Sequence, residues 1–303
     1  MEIDKIVAVV VTYNRLECLK KVISCLQSQQ IKLFKILVVN NGSTDGTTEW
    51  LNDQNDILVF HQDNVGGSGG FYRGISEALK FKSDWIWCMD DDVYPNEDCL
   101  RNLLMHAKDG VGILCPQRVQ NNKVFISEFK KLNLSNPFQR LHLEPLKLTD
   151  VAKSQTVEIM GMVFEGPLIR RSVVETIGLP TKDLFILYDD TDYSYRAVVA
   201  GYKVLYVPNA VMSKEYFCQE LTNDQRLFKN RWKEWYHIRN TAYFCHHHGK
   251  NVFFRLFGEL YLPFYMFFAI IYNLPRNKKY RNGDQWTVWK MFVRGHKGLL
   301  GKM

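Results

Sequence analysis

Four apolar runs near the start of the chain each end in a polar turn, and helical patterns separate them. That alternation leaves few folds open. Ile6-Val7-Ala8-Val9-Val10-Val11 is uninterrupted and mostly β-branched, as a central parallel strand buried on both faces requires. It stops at Thr12-Tyr13-Asn14-Arg15. Leu16, Leu19, Val22, Ile23 and Leu26 then recur at three- and four-residue steps, which predicts a helix. Phe34–Val39 and Ile57–Phe60 repeat the strand signal. The first leads into Asn40-Asn41-Gly42-Ser43-Thr44-Asp45-Gly46, where Thr44 or Asp45 is placed to cap a short helix toward Leu51. The second leads into Asn64-Val65-Gly66-Gly67-Ser68-Gly69-Gly70, with a helix expected over 71–81. A strand over 84–89 completes the series. Such a chain folds as an α/β domain with a mainly parallel sheet.

The fourth run, Trp85-Ile86-Trp87-Cys88-Met89, ends in Asp90-Asp91-Asp92. Ionised carboxylates are costly to bury and repel one another. Three of them at a strand end call for a cation, and oxygen-only ligands suit Mg²⁺ or Mn²⁺, ions that commonly combine one or two carboxylates with substrate phosphates. The competing explanation is a solvated acidic loop. Against it stand the apolar residues before the triplet and Val93-Tyr94-Pro95-Asn96-Glu97 after it, which read as a turn into a helix. The carboxylates thus fall where open α/β sheets bind ligands.

The glycine-rich loop allows backbone N–H groups to approach a phosphate at a helix start. A purely structural tight turn is its rival. It lacks the GxxxxGK[ST] pattern of a P-loop and does not follow the first strand as a dinucleotide fingerprint does. A second acidic cluster, Asp189-Asp190-Thr191-Asp192, opens a helix that Gly201 stops. Capping explains one of its aspartates but does not require three. Elsewhere, Val111–Cys115 and 202–207 read as strands, Glu158–Gly166 has strand character, and 116–157 looks irregular. Cys245-His246-His247-His248 reads as a helix end before Gly249 rather than a metal site, since adjacent side chains diverge.

With 303 residues and 46% hydrophobic composition the chain has enough material for one large or two modest domains. The net charge of +7 suits an anionic partner without choosing one. Seven cysteines without CxxC pairing, and a start lacking a signal-peptide pattern, lead to the expectation of a reduced, cytoplasmic setting.

In order, Val11-Thr12-Tyr13-Asn14-Arg15, Val39-Asn40-Asn41-Gly42-Ser43-Thr44-Asp45, Asn64–Phe71, Asp90-Asp91-Asp92 and Asp189-Asp190-Thr191-Asp192 resemble the inverting family 2 glycosyltransferases of the GT-A fold over roughly residues 5–215. The glycine loop with a triple aspartate is most similar to bacterial galactofuranosyltransferases, with rhamnosyltransferases close, and Trp235-Tyr236-His237-Ile238-Arg239-Asn240 is similar to an aromatic–Arg–Asn segment of both. The resemblance implies a Rossmann-like nucleotide-diphospho-sugar transferase domain over 1–218 and a C-terminal helical, acceptor- and membrane-associating region over 219–303. It implies that Thr12, Tyr13 and Arg15 line the nucleotide site, with Asn41 near the base and Asn64, Gly66, Gly67 and Arg73 around the nucleotide and diphosphate. Asp90 contacts the ribose or sugar side, with Asp91 beside it on the donor, and Asp92 ligates Mn²⁺ or Mg²⁺. Asp190 is the catalytic base, and Asp189, Asp192, Trp235, Tyr236 and Arg239 serve the acceptor. Two departures stand out. Relatives carry Asp where Asn40 or Asn41 stands, and a metal-ligating His where Lys214 stands. A protonated lysine cannot ligate a metal, so Lys214 is expected to pair with the donor diphosphate.

The implied reaction moves galactofuranose from UDP-galactofuranose to a hydroxyl of a glycan acceptor on a polyprenyl-diphosphate lipid, in cell-surface polysaccharide synthesis such as O-antigen or capsule. A rhamnosyltransferase using dTDP-rhamnose is the near alternative. A nucleotidyltransferase or a nucleic-acid-binding module is the alternative of another class, and no RNA-binding signature supports the latter. In the last third, Arg226, Lys229, Arg231, Lys233 and Arg239 alternate with Trp232, Trp235 and Tyr236. The apolar run 260–272 is too short to span a bilayer, and Arg276, Lys278, Lys279 and Arg281 follow it. An interfacial helix on an anionic membrane surface and a buried core helix both fit. The first would place the protein peripherally on the inner face of the cell membrane, with no nucleic-acid partner.

Overall fold

The computed structural model describes residues 4–137, 143–152, 155–217, 223–258, 260–273 and 280–303. Arg276, Lys278, Lys279 and the side chains of Arg226 and Lys229, all part of the cationic pattern above, lie outside the described residues. The chain separates into two compact units. Unit 1 comprises 1–131, 145–182 and 189–216, and unit 2 comprises 132–144, 183–188 and 217–303.

The opening strand–helix series is β1 (Ile6–Thr12), α1 (Leu16–Gln27), β2 (Lys35–Asn40), α2 (Thr47–Asn52), β3 (Ile57–His61), α3 (Gly66–Ala78) and β4 (Trp85–Asp90). There follow β5 (Val93–Pro95), α4 (Cys99–Leu104), β6 (Val111–Gln120), β7 (Lys123–Phe125), β8 (Phe129–Leu132), β9 (Leu143–Pro145), α5 (Leu148–Val151), β10 (Val157–Glu158), β11 (Leu168–Arg170), α6 (Arg171–Ile177), α7 (Asp189–Val199) and β12 (Lys203–Lys214). The main sheet runs β10-β12-β6-β11-β4-β1-β2-β3. Pairing is parallel across β4-β1-β2-β3 and between β12 and β6, while β11 runs antiparallel to both its neighbours. The α/β, mainly parallel expectation therefore holds.

Alternation along β1 builds two cores. Val7, Val9 and Val11 face one layer with Phe71 and Ile75 of α3. Ile6, Ala8 and Val10 face the other with Leu19, Val22 and Leu26 of α1. Both layers are apolar, so every β1 residue is buried and the strand shows no polar face.

Several boundaries differ from expectation. The helix expected over 71–81 begins at Gly66, because the glycine string is helical. Val93–Pro95 is a strand paired to β12, so the turn into a helix comes later, with α4 starting at Cys99. The segment 159–166 is irregular apart from a lone bridge between Gly161 and Phe129, with strands only on either side. The stretch 116–157 carries the end of β6 and several short elements. Asp45 serves two helices at once: its carboxylate accepts from Leu16 N (3.0 Å) at the start of α1 and from Thr47 N and Oγ1 (3.3 and 2.6 Å) at the start of α2.

Unit 2 is helical: α8 (Asn223–His248), α9 (Val252–Phe257), α10 (Tyr261–Asn273) and α11 (Asp284–His296). Its core is Ile238, Ala242, Ile270, Val288, Met291 and Phe292. The four-residue Cys-His-His-His string is the last turn of α8.

Candidate active site

The parallel register sets Val11 opposite Asp90 and Thr12 opposite Asn40, so the turns after β1, β2 and β4 converge on one sheet edge. The turn after β1 grips the aspartates. Thr12 Oγ1 donates to Asp91 Oδ2 (2.7 Å), and Tyr13 N donates to the same oxygen (3.3 Å). Arg15 Nη1 reaches Asp91 Oδ1 (3.0 Å) and Asp92 Oδ2 (3.1 Å). Burial lifts the Asp91 carboxyl above its ordinary range, and Arg15 and Thr12 offset part of that lift. Asp91, expected on the donor, thus spends its hydrogen bonds on the protein.

Lys214 arrives through backbone pairing. The antiparallel β5–β12 ladder places it opposite Val93, and Glu215 N donates to Asp92 O (2.9 Å). Its Nζ lies 3.4 Å from Asp92 Oδ1 and 2.9 Å from Glu165 Oε1. Glu165 Oε2 in turn accepts from Arg118 Nη1 (2.7 Å), and Arg118 Nη2 donates to both oxygens of buried Glu128 (2.7 Å each). Charges alternate from Arg15 through Asp92, Lys214, Glu165 and Arg118 to Glu128. Burial raises Glu165, but Arg118 and Lys214 outweigh it and hold the carboxyl below its ordinary value. Sequence reasoning passed over Glu165. The available signal was its charge at the end of an apolar run, directly before Gly166. That glycine has φ +100°, and a Cβ there would overlap Met212. Its backbone N and O bond Cys88 O and Trp87 Nε1, which fixes Glu165 beside the end of β4.

Asp90 differs from its neighbours. Among the described residues its carboxylate makes no hydrogen bond or ion pair. Burial raises its pKa well above the ordinary carboxylate value, and Asp92, Glu165 and Asp91 add to the rise. Lys214 offsets part of that rise, and a half-buried carboxylate beside three others is chemically suited to a divalent cation such as Mg²⁺ or Mn²⁺, which Asp90 and Asp92 would hold. No group of three His, Cys, Asp or Glu able to hold a metal occurs among the described residues.

The glycines after β3 have unequal tasks. Gly66 has φ +80°, and its N donates to Asn64 Oδ1 (3.0 Å). Asn41, buried, donates to Gly66 O (3.0 Å) and accepts from Gln62 Nε2 (2.9 Å), so it fastens this turn to β2. A Cβ at Gly67 would meet open space. At Gly70 and Gly74 it would overlap Val11 and Val9, so these two glycines let α3 lie directly on β1. Arg73 pairs with Glu77 (3.0 Å) and lies over the Phe60 ring, which occupies it along the helix.

The second acidic cluster opens α7. Asp192 is buried and accepts from Arg196 Nε and Thr181 Oγ1 (3.0 Å each). Burial pushes Asp189 up to about 6. Asp190 Oδ1 accepts from Thr191 N (2.6 Å) and Oγ1 (3.3 Å), and among the described residues its Oδ2 has no partner. Burial, then Asp189 and Glu165, raise the Asp190 carboxyl well above its ordinary value. That combination, a free oxygen and a raised proton affinity, is what a general base near neutral pH needs. In unit 2, Trp235 is half-buried against the core, Tyr236 is buried and stacks on Phe185, and Arg239 is wholly buried.

The sequence profile described as Glycosyl transferase family 2 matches residues 7–178. The chain belongs to that family. Galactofuranosyltransferase GlfT1 of Mycolicibacterium smegmatis is 27% identical over 210 residues, 65% of this chain and 67% of that protein. The O-antigen chain rhamnosyltransferase RfbN of Salmonella typhimurium is 25% identical over 232 residues, 74% and 70%. Two solved structures share the fold at 15% identity. GalNAc-T7 with UDP, GalNAc and Mn²⁺ has a TM-score of 0.56, covering 89% of this chain and 57% of that one. The mannosyltransferase PcManGT from Pyrobaculum calidifontis with GDP-Man and Mn²⁺ has 0.53, covering 97% and 86%. The family 2 chain thus has the GT-A fold, with both acidic clusters in unit 1.

Proposed function

We propose that this family 2 glycosyltransferase is an inverting hexosyltransferase that moves a sugar from a nucleoside diphosphate to a hydroxyl of a glycan acceptor. The observation that carries the reading is the pair of unlike carboxylate sets in one unit: among the described residues, Asp90 at the end of β4 makes no hydrogen bond or ion pair, and Asp190 at the start of α7 has one oxygen without a partner. Galactofuranose from UDP-galactofuranose is the favoured donor, supported by the similarity to GlfT1, and dTDP-rhamnose is second, supported by RfbN.

In this reading the acceptor oxygen attacks the anomeric carbon while its proton passes to Asp190 Oδ2. The bond from that carbon to the diphosphate oxygen breaks, and its electron pair leaves with the nucleoside diphosphate. Attack opposite the leaving group inverts the anomeric centre. A divalent cation at Asp90 and Asp92 supplies charge to the departing diphosphate when bound. Arg15 and Lys214 hold Asp92 from both sides, and Lys214 adds positive charge on that side of the site. The turn of Asn41, Asn64 and Gly66 shapes the nucleotide site, with Tyr13 exposed at its edge.

The acceptor is proposed to be lipid-linked, with the protein peripheral on the cytoplasmic face of a membrane. Val252–Asn273 is long and apolar enough to cross a bilayer by length and composition, with mean hydropathy 1.4 and 24% buried. α9 nevertheless stops at Gly258, whose backbone leaves the helical range (ψ 132°), and two short helices suit an interface better than a span.

The test is a panel of sugar nucleotides with Mn²⁺, measuring nucleoside diphosphate released with and without an acceptor glycan. Acceptor-dependent release with UDP-galactofuranose is expected. Release with dTDP-rhamnose alone would replace the donor assignment, and release of pyrophosphate would overturn the transferase reading.

A further inference from the structure

Arg239 and Asn240 sit side by side on α8 and are both wholly buried. Arg239 Nε donates to Asn240 Oδ1 (2.8 Å), which turns the amide so that its Nδ2 faces backbone. That nitrogen lies 3.1 Å from Leu184 O, 2.8 Å from Ile186 O and 2.9 Å from Leu187 O. Arg239 Nη2 adds a second donor to Leu184 O (2.8 Å), and its Nη1 donates to Gly301 O. Gly301 N closes the loop on Asp183 O (2.7 Å).

All of these partners hold one short segment, 183–188, whose backbone is unusual. Phe185, Leu187 and Tyr188 have φ of +68°, +67° and +69°, left-handed values that bulky residues adopt only under constraint. Side chains add to the grip: Phe185 stacks on Tyr236 with centroids 5.0 Å apart, and Tyr188 packs on His237 and Phe244 at 5.8 and 5.4 Å. The chain then passes from Tyr188 straight into Asp189, the first residue of α7, and Asp190 follows.

A buried guanidinium is a costly way to satisfy two backbone carbonyls and one amide oxygen, and burial pulls Arg239 down to about 10. Packing alone gives no reason to keep it. We infer that Arg239 and Asn240 are positioning residues for Asp190: they hold segment 183–188 on its left-handed path, and that path sets how the chain enters α7 and where the free Asp190 oxygen points. The inference rests on the proposed role of Asp190 as base. It also gives the Trp-Tyr-His-Ile-Arg-Asn string a task other than touching the acceptor, since Arg239 has no exposed surface from which to do so.

The test uses the full chain with Asn240→Ala, Arg239→Lys and Asp190→Asn, each checked for folding by its melting curve. Measured are affinity for UDP, kcat and KM with the working donor, and the pH profile of kcat. Displacing a reacting group by about 1 Å typically costs on the order of 10²-fold. Asn240→Ala is therefore expected to lower kcat by roughly tenfold to a hundredfold, to leave UDP affinity within about twofold, and to move the acid limb of the profile. Arg239→Lys, which keeps the charge with fewer donors, should fall between it and the unaltered chain and serves in its place if Asn240→Ala does not fold. Melting temperatures that drop while kcat and the acid limb stay put would reduce the pair to a structural role and overturn the inference. Undiminished transfer by Asp190→Asn would instead remove the base assignment on which it rests.

Discussion

Asp90 and Asp190 hold their protons more tightly in the folded chain than an unfolded chain would. Ionising them therefore works against folding: their contribution to stability is full below the ordinary carboxylate range, near pH 4, and is lost as pH climbs through their raised values. For Asp90 this predicts a trade. Asp90→Asn removes one member of a repelling group, so in chelator-treated protein its melting temperature at pH 7 to 8 should exceed that of the unaltered chain, with the gain shrinking toward pH 4. Transfer should fall by about 10²-fold or more through loss of charge stabilisation at the diphosphate. A melting curve that drops at neutral pH would show that Asp90 is stabilising as it stands. With Asp190 as the proposed base, the same raised value bears on the pH profile. A base must be ionised to act, so kcat should fall on acidification at a pH above the ordinary carboxylate range. Asp190→Asn should lower kcat by about 10²–10⁴-fold with nucleotide binding retained. Calorimetry with UDP beside steady-state rates separates the two effects, and near-unaltered turnover would sink the assignment.

At the scale of elements, the contact of α3 with β1 decides where the glycines matter. Gly70 and Gly74 lie four residues apart, on one face of the helix, against Val11 and Val9 on one face of the strand. Adding a methyl group at Gly74 forces the helix away from a packed layer, and overpacking of this kind costs about 1–3 kcal/mol. Gly74→Ala should accordingly lower the denaturation midpoint, while Gly74→Ala with Val9→Ala should lose less than the two single changes together, because the space one removes the other restores. Additive losses would show that the two residues do not share the contact. The same contact explains what sequence reading caught and missed. Continuous β-branched runs announced β1 and β2, since burial on both faces leaves nothing polar to misread. The glycine string looked like a loop because glycine disfavours helix, yet here close packing outweighs propensity and α3 begins at Gly66. Val93–Pro95 looked like a turn because its strand partner in β12 is more than 100 residues away in sequence. Glu165 was hidden for a similar reason: its meaning lies in Lys214 and Arg118, which only the sheet register brings to it.

At the scale of the whole molecule, the two acidic clusters were legible as motifs in unit 1, whereas unit 2 offered one short motif, over 235–240, and composition. Its α10 shows why composition was ambiguous between core and membrane: one side of the helix is packed and the other is exposed. Pro263 and Ile270 are buried, and Leu262 and Met266 pack with the core. Tyr261, Tyr265, Phe268 and Tyr272, at steps of four, three and four, form a stripe along the helix with exposures of 46%, 54%, 63% and 62%. Aromatic rings with a polar tip suit the boundary between headgroups and acyl chains. Phe253, Leu256 and Phe257 of α9 and Trp286 of α11 are also exposed in the same unit. The chain should therefore float with anionic liposomes and less with neutral ones, since its net charge of +7 adds salt-sensitive attraction. Phe268→Ser with Tyr272→Ser removes two rings from the stripe without touching the buried side of α10. That variant should lose most flotation and turn over a lipid-linked acceptor more slowly, while its rate on a soluble acceptor fragment stays within about twofold, because both acidic clusters lie in unit 1 and surface changes of this kind usually have small effects elsewhere. Flotation that survives the double change would move the membrane contact away from α10, and equal slowing on both acceptors would mean that the stripe serves the sugar-transfer site rather than the bilayer.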